Sequence, residues 1–204
     1  TITVTIPSTA LVGAVAIIAT PNFWVYPAVQ SFYIRKTGSD SNSGGSSSEA
    51  WLTPTKAFGT VGLGTLGDSL YVGAGVYREV ITLTMTSPTV NTNIVGDVYG
   101  IYTGDPGEIQ FTAYVKNDTV APTVNVTLLT ISASDFFTFT DIIFVGGNGH
   151  MITGGTGSTD IIFRRCGFIC QGIGLSLTTT ANQAANWVFD SCDFVEGASQ
   201  TISI

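Results

Sequence analysis

The chain has 204 residues, 44% of them hydrophobic, and carries seven Lys and Arg against 14 Asp and Glu. A net charge of −7 argues against a phosphate-gripping nucleic-acid surface and against attachment to an anionic membrane, while the apolar content excludes a chain disordered throughout. Only 10% of residues are charged and 24 are glycine; with abundant Thr, Val, Ile and Phe, this predicts many short strands joined by turns.

Residues 1–31 form an apolar N-terminal piece interrupted by Pro7, Pro21 and Pro27. Thr1–Ile6 alternates as a half-buried strand does. The run Ala10–Thr20 is 11 residues long, too short to span a bilayer. No basic residue precedes Arg35, as a signal peptide would require. The piece therefore reads as a buried strand or docking arm, ahead of a signal remnant or a membrane contact. A flexible polar loop is expected over Thr37–Ser48. Thr53 then suits an N-cap, Pro54 the first turn of a short helix, and Gly59 and Gly62 its end. Strands are expected at Ser69–Val72, Glu79–Thr84, Asn93–Val95, Ile109–Phe111, Val126–Ile131 and Phe136–Thr140.

The last third repeats. Phe139-Thr-Asp-Ile-Ile-Phe-Val, Phe163-Arg-Arg-Cys-Gly-Phe-Ile and Phe189-Asp-Ser-Cys-Asp-Phe-Val follow one another at offsets of 24 and 26 residues. Apolar residues recur in the columns Phe139/Phe163/Phe189, Ile142/Cys166/Cys192, Phe144/Phe168/Phe194 and Val145/Ile169/Val195. A period in the twenties with no helix between strands predicts one coil of a β-solenoid, whose equivalent side chains stack in ladders about 4.8 Å apart. The Phe ladders would fill the interior. The second and third residues of each segment would sit at a bend, placing Arg164 and Asp190 in one outward column as a surface ion pair or, alternatively, as a substrate-binding Arg. A leucine-rich repeat lacks its Leu and Asn spacing here, and a propeller blade needs a longer period.

The three cysteines, Cys166, Cys170 and Cys192, form neither a disulfide framework nor a Cys-x-x-Cys pair, and His150 is the single histidine. Free thiols packed as small hydrophobes are expected, with no metal and no cofactor. The carboxylates nearest to a catalytic or calcium-binding group are Asp190, Asp193 and Glu196, which are expected on different faces of the coil and therefore as solvated surface. Asp135, Asp141 and Asp160 read as isolated. No basic residue lies between Lys116 and Arg164, and no nucleophile elbow, phosphate loop or triad appears. No catalytic residue is assigned.

Residues 32–84 contain Phe-Tyr-Ile-Arg-Lys-Thr-Gly-Ser-Asp-Ser-Asn-Ser-Gly, Trp-Leu-Thr-Pro-Thr-Lys-Ala-Phe and Leu-Gly-Asp-Ser-Leu-Tyr-Val-Gly-Ala-Gly-Val-Tyr-Arg-Glu. This resembles the opening of right-handed parallel β-helix proteins of the pectate-lyase-like superfamily. The matching positions are Gly38, Ser39, Asp40, Asn42, Gly44, Gly67, Asp68, Val72, Gly75 and Tyr77. With the repeats, the resemblance covers residues 32–204. It implies an all-β right-handed parallel β-helix, with a short N-terminal helix capping the first coil, Gly67-Asp68 turning into the first strand, and Gly73 and Gly75 turning out of it. The division expected is a docking arm over 1–31 and a β-helix over 32–204, running on beyond Ile204 or covered there by another subunit, since Thr201–Ile204 reads as strand.

The superfamily includes polysaccharide lyases, glycoside hydrolases and phage spikes, so function stays open at this level. The leading expectation is a structural phage virion protein: the N-terminal part of a tailspike or tail fibre. It would dock to the particle's other proteins through 1–31, assemble as a homotrimer and contact host-surface polysaccharide. A secreted polysaccharide lyase or hydrolase and a capsid decoration protein are the alternatives. Catalysis is not expected from this segment itself, and neither nucleic acid nor a membrane span is.

Overall fold

β-Branched and aromatic residues alternate with turn residues over most of the chain, and short strands result. A computed structural model describes residues 29–59, 67–83, 90–113, 127–132, 134–146, 151–154, 158–170 and 186–196. The expected docking arm lies outside the described residues except for positions 29–31, as do His150, Lys116 and the side chains of Cys170 and Glu196.

The chain begins with β1 (Ser31–Ile34), a 3₁₀ turn at Ser47–Glu49 and one helix, α1 (Pro54–Phe58). Strands follow in threes: β2 (Ser69–Val72), β3 (Gly75–Arg78) and β4 (Ile81–Leu83); β5 (Thr92–Gly96), β6 (Ile109–Thr112) and β7 (Leu129–Ile131); β8 (Phe137–Thr140), β9 (Ile143–Val145) and β10 (Ile152–Gly154). Then come β11 (Ile161–Arg164), β12 (Gly167–Cys170), β13 (Val188–Asp190) and β14 (Asp193–Glu196). From β2 to β9 each strand pairs with the one three places on, and β13 and β14 pair with β11 and β12. Sheet I runs β1-β2-β5-β8-β11-β13, sheet II β3-β6-β9-β12-β14 and sheet III β4-β7-β10. Every pairing is parallel. Parallel sheets with one strand of each per coil are the order of a β-solenoid, in agreement with the expected class.

The repeat columns are in register. Phe139, Phe163 and Phe189 are paired neighbours in sheet I, and Phe144, Phe168 and Phe194 in sheet II. The interior column of sheet I extends back through Ile94 and Leu70 to Phe32, and that of sheet II through Phe111 to Tyr77. Rings stack within a column, as Phe139 on Phe163 at 5.1 Å and Phe144 on Phe168 at 5.4 Å, and meet edge-to-face across columns, as Phe144 and Phe163 do at 5.7 Å. Val145, Ile169 and Val195 share the next column, along which cover falls: Val145 is 5% exposed and Val195 54%.

Cys166 is buried and Cys192 half-buried, both as free thiols. Their sulfurs approach Phe139 O at 3.5 Å and Phe163 O at 3.3 Å, the same contact one coil apart. Burial pushes the Cys166 thiol up to about 12.

Helix α1 starts as expected, with the Thr53 hydroxyl accepting from Lys56 N at 3.1 Å and Pro54 in the first turn. Ala57 and Phe58 are buried in the common core, and the helix lies against β4, the outermost strand of sheet III. No helix among the described residues is long and apolar enough to cross a membrane.

Two expectations are corrected and one is refined. First, the Thr37–Ser48 loop is tied down. Asp40 accepts from Leu52 N, Thr53 N and Thr53 Oγ1 within 3.0 Å, Asn42 bonds Ala50 O, and the Trp51 indole donates to Asn42 O at 2.9 Å. Gly44, at φ +74°, leaves room for that indole, which a Cβ would strike. The polar composition suggested mobility; the buried Trp51 around which the loop folds does not register in composition. Second, Gly75, at φ +144°, completes the corner out of β2 as expected and at the same time opens β3, whose Tyr77 buries its ring and donates its hydroxyl to Gly73 O at 2.9 Å. Third, Phe136 lies outside β8 with φ 57°, at a bend equivalent to Asp160 (φ 55°) and Asn186 (φ 62°) in the next two coils.

Candidate functional site

Successive residues of a strand face opposite ways, so sheet I has an outward face as regular as its core. One outward column reads Tyr33, Tyr71, Val95, Thr140, Arg164 and Asp190. Its two ends differ in chemistry.

The N-terminal end is aromatic. Tyr33 and Tyr71 sit one coil apart with ring centroids at 5.7 Å. Tyr102 reaches over from the β5–β6 connection and stacks on Tyr71 at 3.9 Å with 13° between planes. Tyr102 stays 49% exposed, and on the same connection Tyr99 is 80% and Ile101 73% exposed. Burial, then the neighbouring Tyr102, raises the Tyr71 phenol above its ordinary value.

The connection that presents these side chains is built from its own polar residues. Asp97 is 5% exposed. Its carboxylate accepts from Ile101 N at 2.9 Å, Tyr102 N at 2.8 Å, Thr103 N at 2.6 Å and Thr103 Oγ1 at 2.8 Å. Burial pushes its pKa up, but these donors outweigh burial and hold it below the usual carboxylate value. Asp105 receives Arg35 Nε and Nη2, each at 2.7 Å, while Arg35 Nη1 donates to Ser47 O at 3.0 Å. This two-pronged bond lowers the Asp105 pKa and raises that of Arg35. Ala74 N donates to Asp105 O at 3.1 Å, Gly75 N to Glu108 O at 2.9 Å and Gly107 N to Val98 O at 3.0 Å. The connection is thereby fastened to the residue after β1, to the β2–β3 turn and to itself. Close by, the Lys36 ammonium lies 4.8 Å from the Tyr77 ring centroid.

The C-terminal end is charged. Arg164 Nε meets Asp190 Oδ2 at 2.9 Å, the outward ion pair expected from the repeat, with both side chains 46% exposed. One residue on, Arg165 grips Asp141 through Nε at 2.8 Å and Nη2 at 2.6 Å. Asp141, Arg165 and Ser191 all have φ between 50° and 58°, marking the expected bend in three successive coils. Exposed pairs of this kind contribute under about 1 kcal/mol each.

The remaining carboxylates do not converge. Asp193 is exposed on sheet II, a different sheet from Asp190. Asp135, Asp141 and Asp160 are apart from one another in function, though not isolated. Asp135 accepts from Thr159 N at 2.8 Å and Oγ1 at 3.1 Å, and Asp160 from Asn186 Nδ2 at 2.9 Å, so each ties its coil to the next. Among the described residues no three His, Cys, Asp or Glu side chains gather to hold a metal ion. The residues of the β-helix-like opening also have structural work: Asp68 is 1% exposed and accepts from Gln30 N at 2.8 Å, and Gly67 turns into β2 with φ +80°.

Sequence reasoning did not single out Tyr71, Tyr99, Tyr102, Asp97, Asp105 or Arg35. A signal was present over 97–107, where Asp97, Gly100, Gly104, Asp105, Pro106 and Gly107 punctuate two tyrosines and an isoleucine. Turn formers around exposed aromatics are a loop that holds them out.

No family model matches the chain, and no curated protein does. Two solved structures resemble its fold. One is a rhamnogalacturonan lyase, with 14% identity and a TM-score of 0.55 over 81% of this chain and 51% of that one. The other is a GH136 lacto-N-biosidase from Eubacterium ramulus, with 9% identity and a TM-score of 0.52 over 81% of this chain and 34% of that one. The chain thus spans about half the length of the first and a third of the second. At these identities the likeness is one of fold.

Proposed function

We propose that this chain is a segment of a β-solenoid protein that holds polysaccharide against the outward face of sheet I. The observation that carries the reading is the aromatic ledge: Tyr102 stacked on Tyr71 and half exposed, on a connection pinned through Asp97 and Asp105. Binding residues concentrate on loops positioned by a rigid scaffold, as this one is. A sugar ring offers a C–H face to an aromatic ring and hydroxyls to a phenol, which suits this ledge. The names of the two structures of like fold, both proteins that act on carbohydrate, support the same reading.

The finer parts of the proposal rest on the resemblance of residues 32–84 and the apolar character of 1–31. They are a right-handed coil capped by α1, a homotrimer, docking through 1–31, and a place on a phage spike that meets a host-surface glycan. The test is binding of the purified chain to a panel of bacterial surface polysaccharides, with the Tyr71→Ala/Tyr102→Ala double variant as control. Binding that the double variant loses, at unchanged far-UV circular dichroism, is the expected result. Absence of binding to every glycan would overturn the reading, and release of new reducing or unsaturated ends would replace it with a lyase or hydrolase.

A further inference from the structure

We infer, resting on that reading, that the ledge takes a neutral sugar ring by stacking and not a charged sugar by ion pairing. Three observations on the ledge carry this.

The guanidinium and the two carboxylates that build the ledge are already matched. The Arg35 guanidinium is spent on both Asp105 oxygens and on Ser47 O. The Lys36 ammonium faces the Tyr77 ring. On the negative side, the Asp97 carboxylate accepts four donors from its own loop. A uronate or other anionic sugar seated at Tyr102 could pair with Arg35 only by breaking the Arg35–Asp105 fork. It would also lie beside two carboxylates in a chain of net charge −7. Acidic polysaccharide is repelled here at long range and unrewarded at contact.

Among the described residues, the exposed apolar surface of the ledge is of the size of a sugar and not of a protein partner. One ring face of Tyr102 is covered by Tyr71 at 3.9 Å, and the exposed remainder, with Tyr99 and Ile101 beside it, belongs to one turn of one loop. A stable protein interface buries on the order of 800 Å² per partner, more than three side chains of a single loop supply.

The loop is also preformed. The backbone N–H groups of residues 100–105 are all bonded within the free chain, so a stacked ligand does not have to order this turn and the affinity that ordering would cost is retained.

The experiment measures Kd by titration calorimetry for two oligosaccharide series of equal length, neutral hexoses and uronic acids, at about 0.05 M and about 0.5 M NaCl, where exposed charge pairs are screened very differently. The expected result is that the neutral series binds and its Kd changes less than about twofold with salt, as uncharged contacts do. Tyr102→Ala weakens it about tenfold, Tyr99→Ala weakens it less, and Tyr102→Phe keeps most of it. Preferential binding of the uronic acids that fades with salt would overturn this inference and leave the polysaccharide reading standing. Binding of neither series would overturn both. Sedimentation showing that Tyr102→Ala dissociates an oligomer would reassign the ledge to a contact between copies of the chain and overturn the inference as well.

Discussion

Phe163 is the ring whose removal the ladder punishes most. It is fully buried between Phe139 at 5.1 Å and Phe189 at 5.2 Å, both stacked, and it meets Phe144 at 5.7 Å and Phe168 at 5.5 Å edge-on. Truncating a buried Phe to Ala costs about 3–5 kcal/mol through lost burial and the cavity left behind. Each well-placed aromatic pair contributes about 0.5–1.5 kcal/mol beyond burial, and Phe163→Ala removes these four at once together with a tilted contact to Trp187 at 6.0 Å. The loss therefore belongs at the top of the range, about 5 kcal/mol, comparable with the whole stability of a weakly stable domain. In a solenoid each coil contacts only its neighbours, so the damage is local. Hydrogen exchange read by mass spectrometry should lose protection across β8, β11 and β13, while β2 keeps its own. Phe163→Leu, which refills most of the volume, should cost under about 1.5 kcal/mol. An Ala variant destabilised by less than about 2 kcal/mol in urea melts, or one that loses protection equally in β2, would refute the idea that the stacked rings carry the C-terminal coils.

Gly44→Ala should destabilise by about 2 kcal/mol or more, since the residue sits at φ +74° and its new Cβ would strike the Trp51 indole; a urea melt followed by Trp fluorescence reads it directly. The Cys166 thiol titrates near its ordinary 9.0 when unfolded and at about 12 when folded. The unfolded chain therefore sheds its proton first, so this contribution is whole below pH 9.0 and declines towards pH 12. Cys166→Ala should flatten that part of the Tm–pH curve. Asp97 and Asp105 both sit below the ordinary 3.8, so their stabilisation is present above that pH and fades as pH falls through the folded values. The near-UV dichroism of the tyrosines should report the ledge loosening in acid, and Asp105→Asn should loosen it already at neutral pH. The Arg165–Asp141 pair, with Arg165 55% exposed, should give a double-mutant coupling under about 1 kcal/mol that shrinks in salt.

The sequence by itself determined the stack. Parallel in-register pairing lays residue on equivalent residue, so a column such as Phe139, Phe163 and Phe189 can be read from spacing alone, and with it the bend at Asp141, Arg165 and Ser191 and the Arg164–Asp190 pair. The same rule hides the earlier coils. In the sheet I column, Leu70, Ile94 and Phe139 are paired in turn although they lie 24 and 45 residues apart, because connections between strands can lengthen at little entropic cost and erase the period. The aromatic ledge was decided by tertiary structure. Tyr33, Tyr71 and Tyr102 come from three different strands and connections, and Arg35 holds Asp105 across 70 residues. No local pattern encodes which exposed tyrosines will meet. That depends on how far one connection reaches back over its sheet, and Asp97 sets this reach by gathering the backbone of residues 101–103 around its own carboxylate.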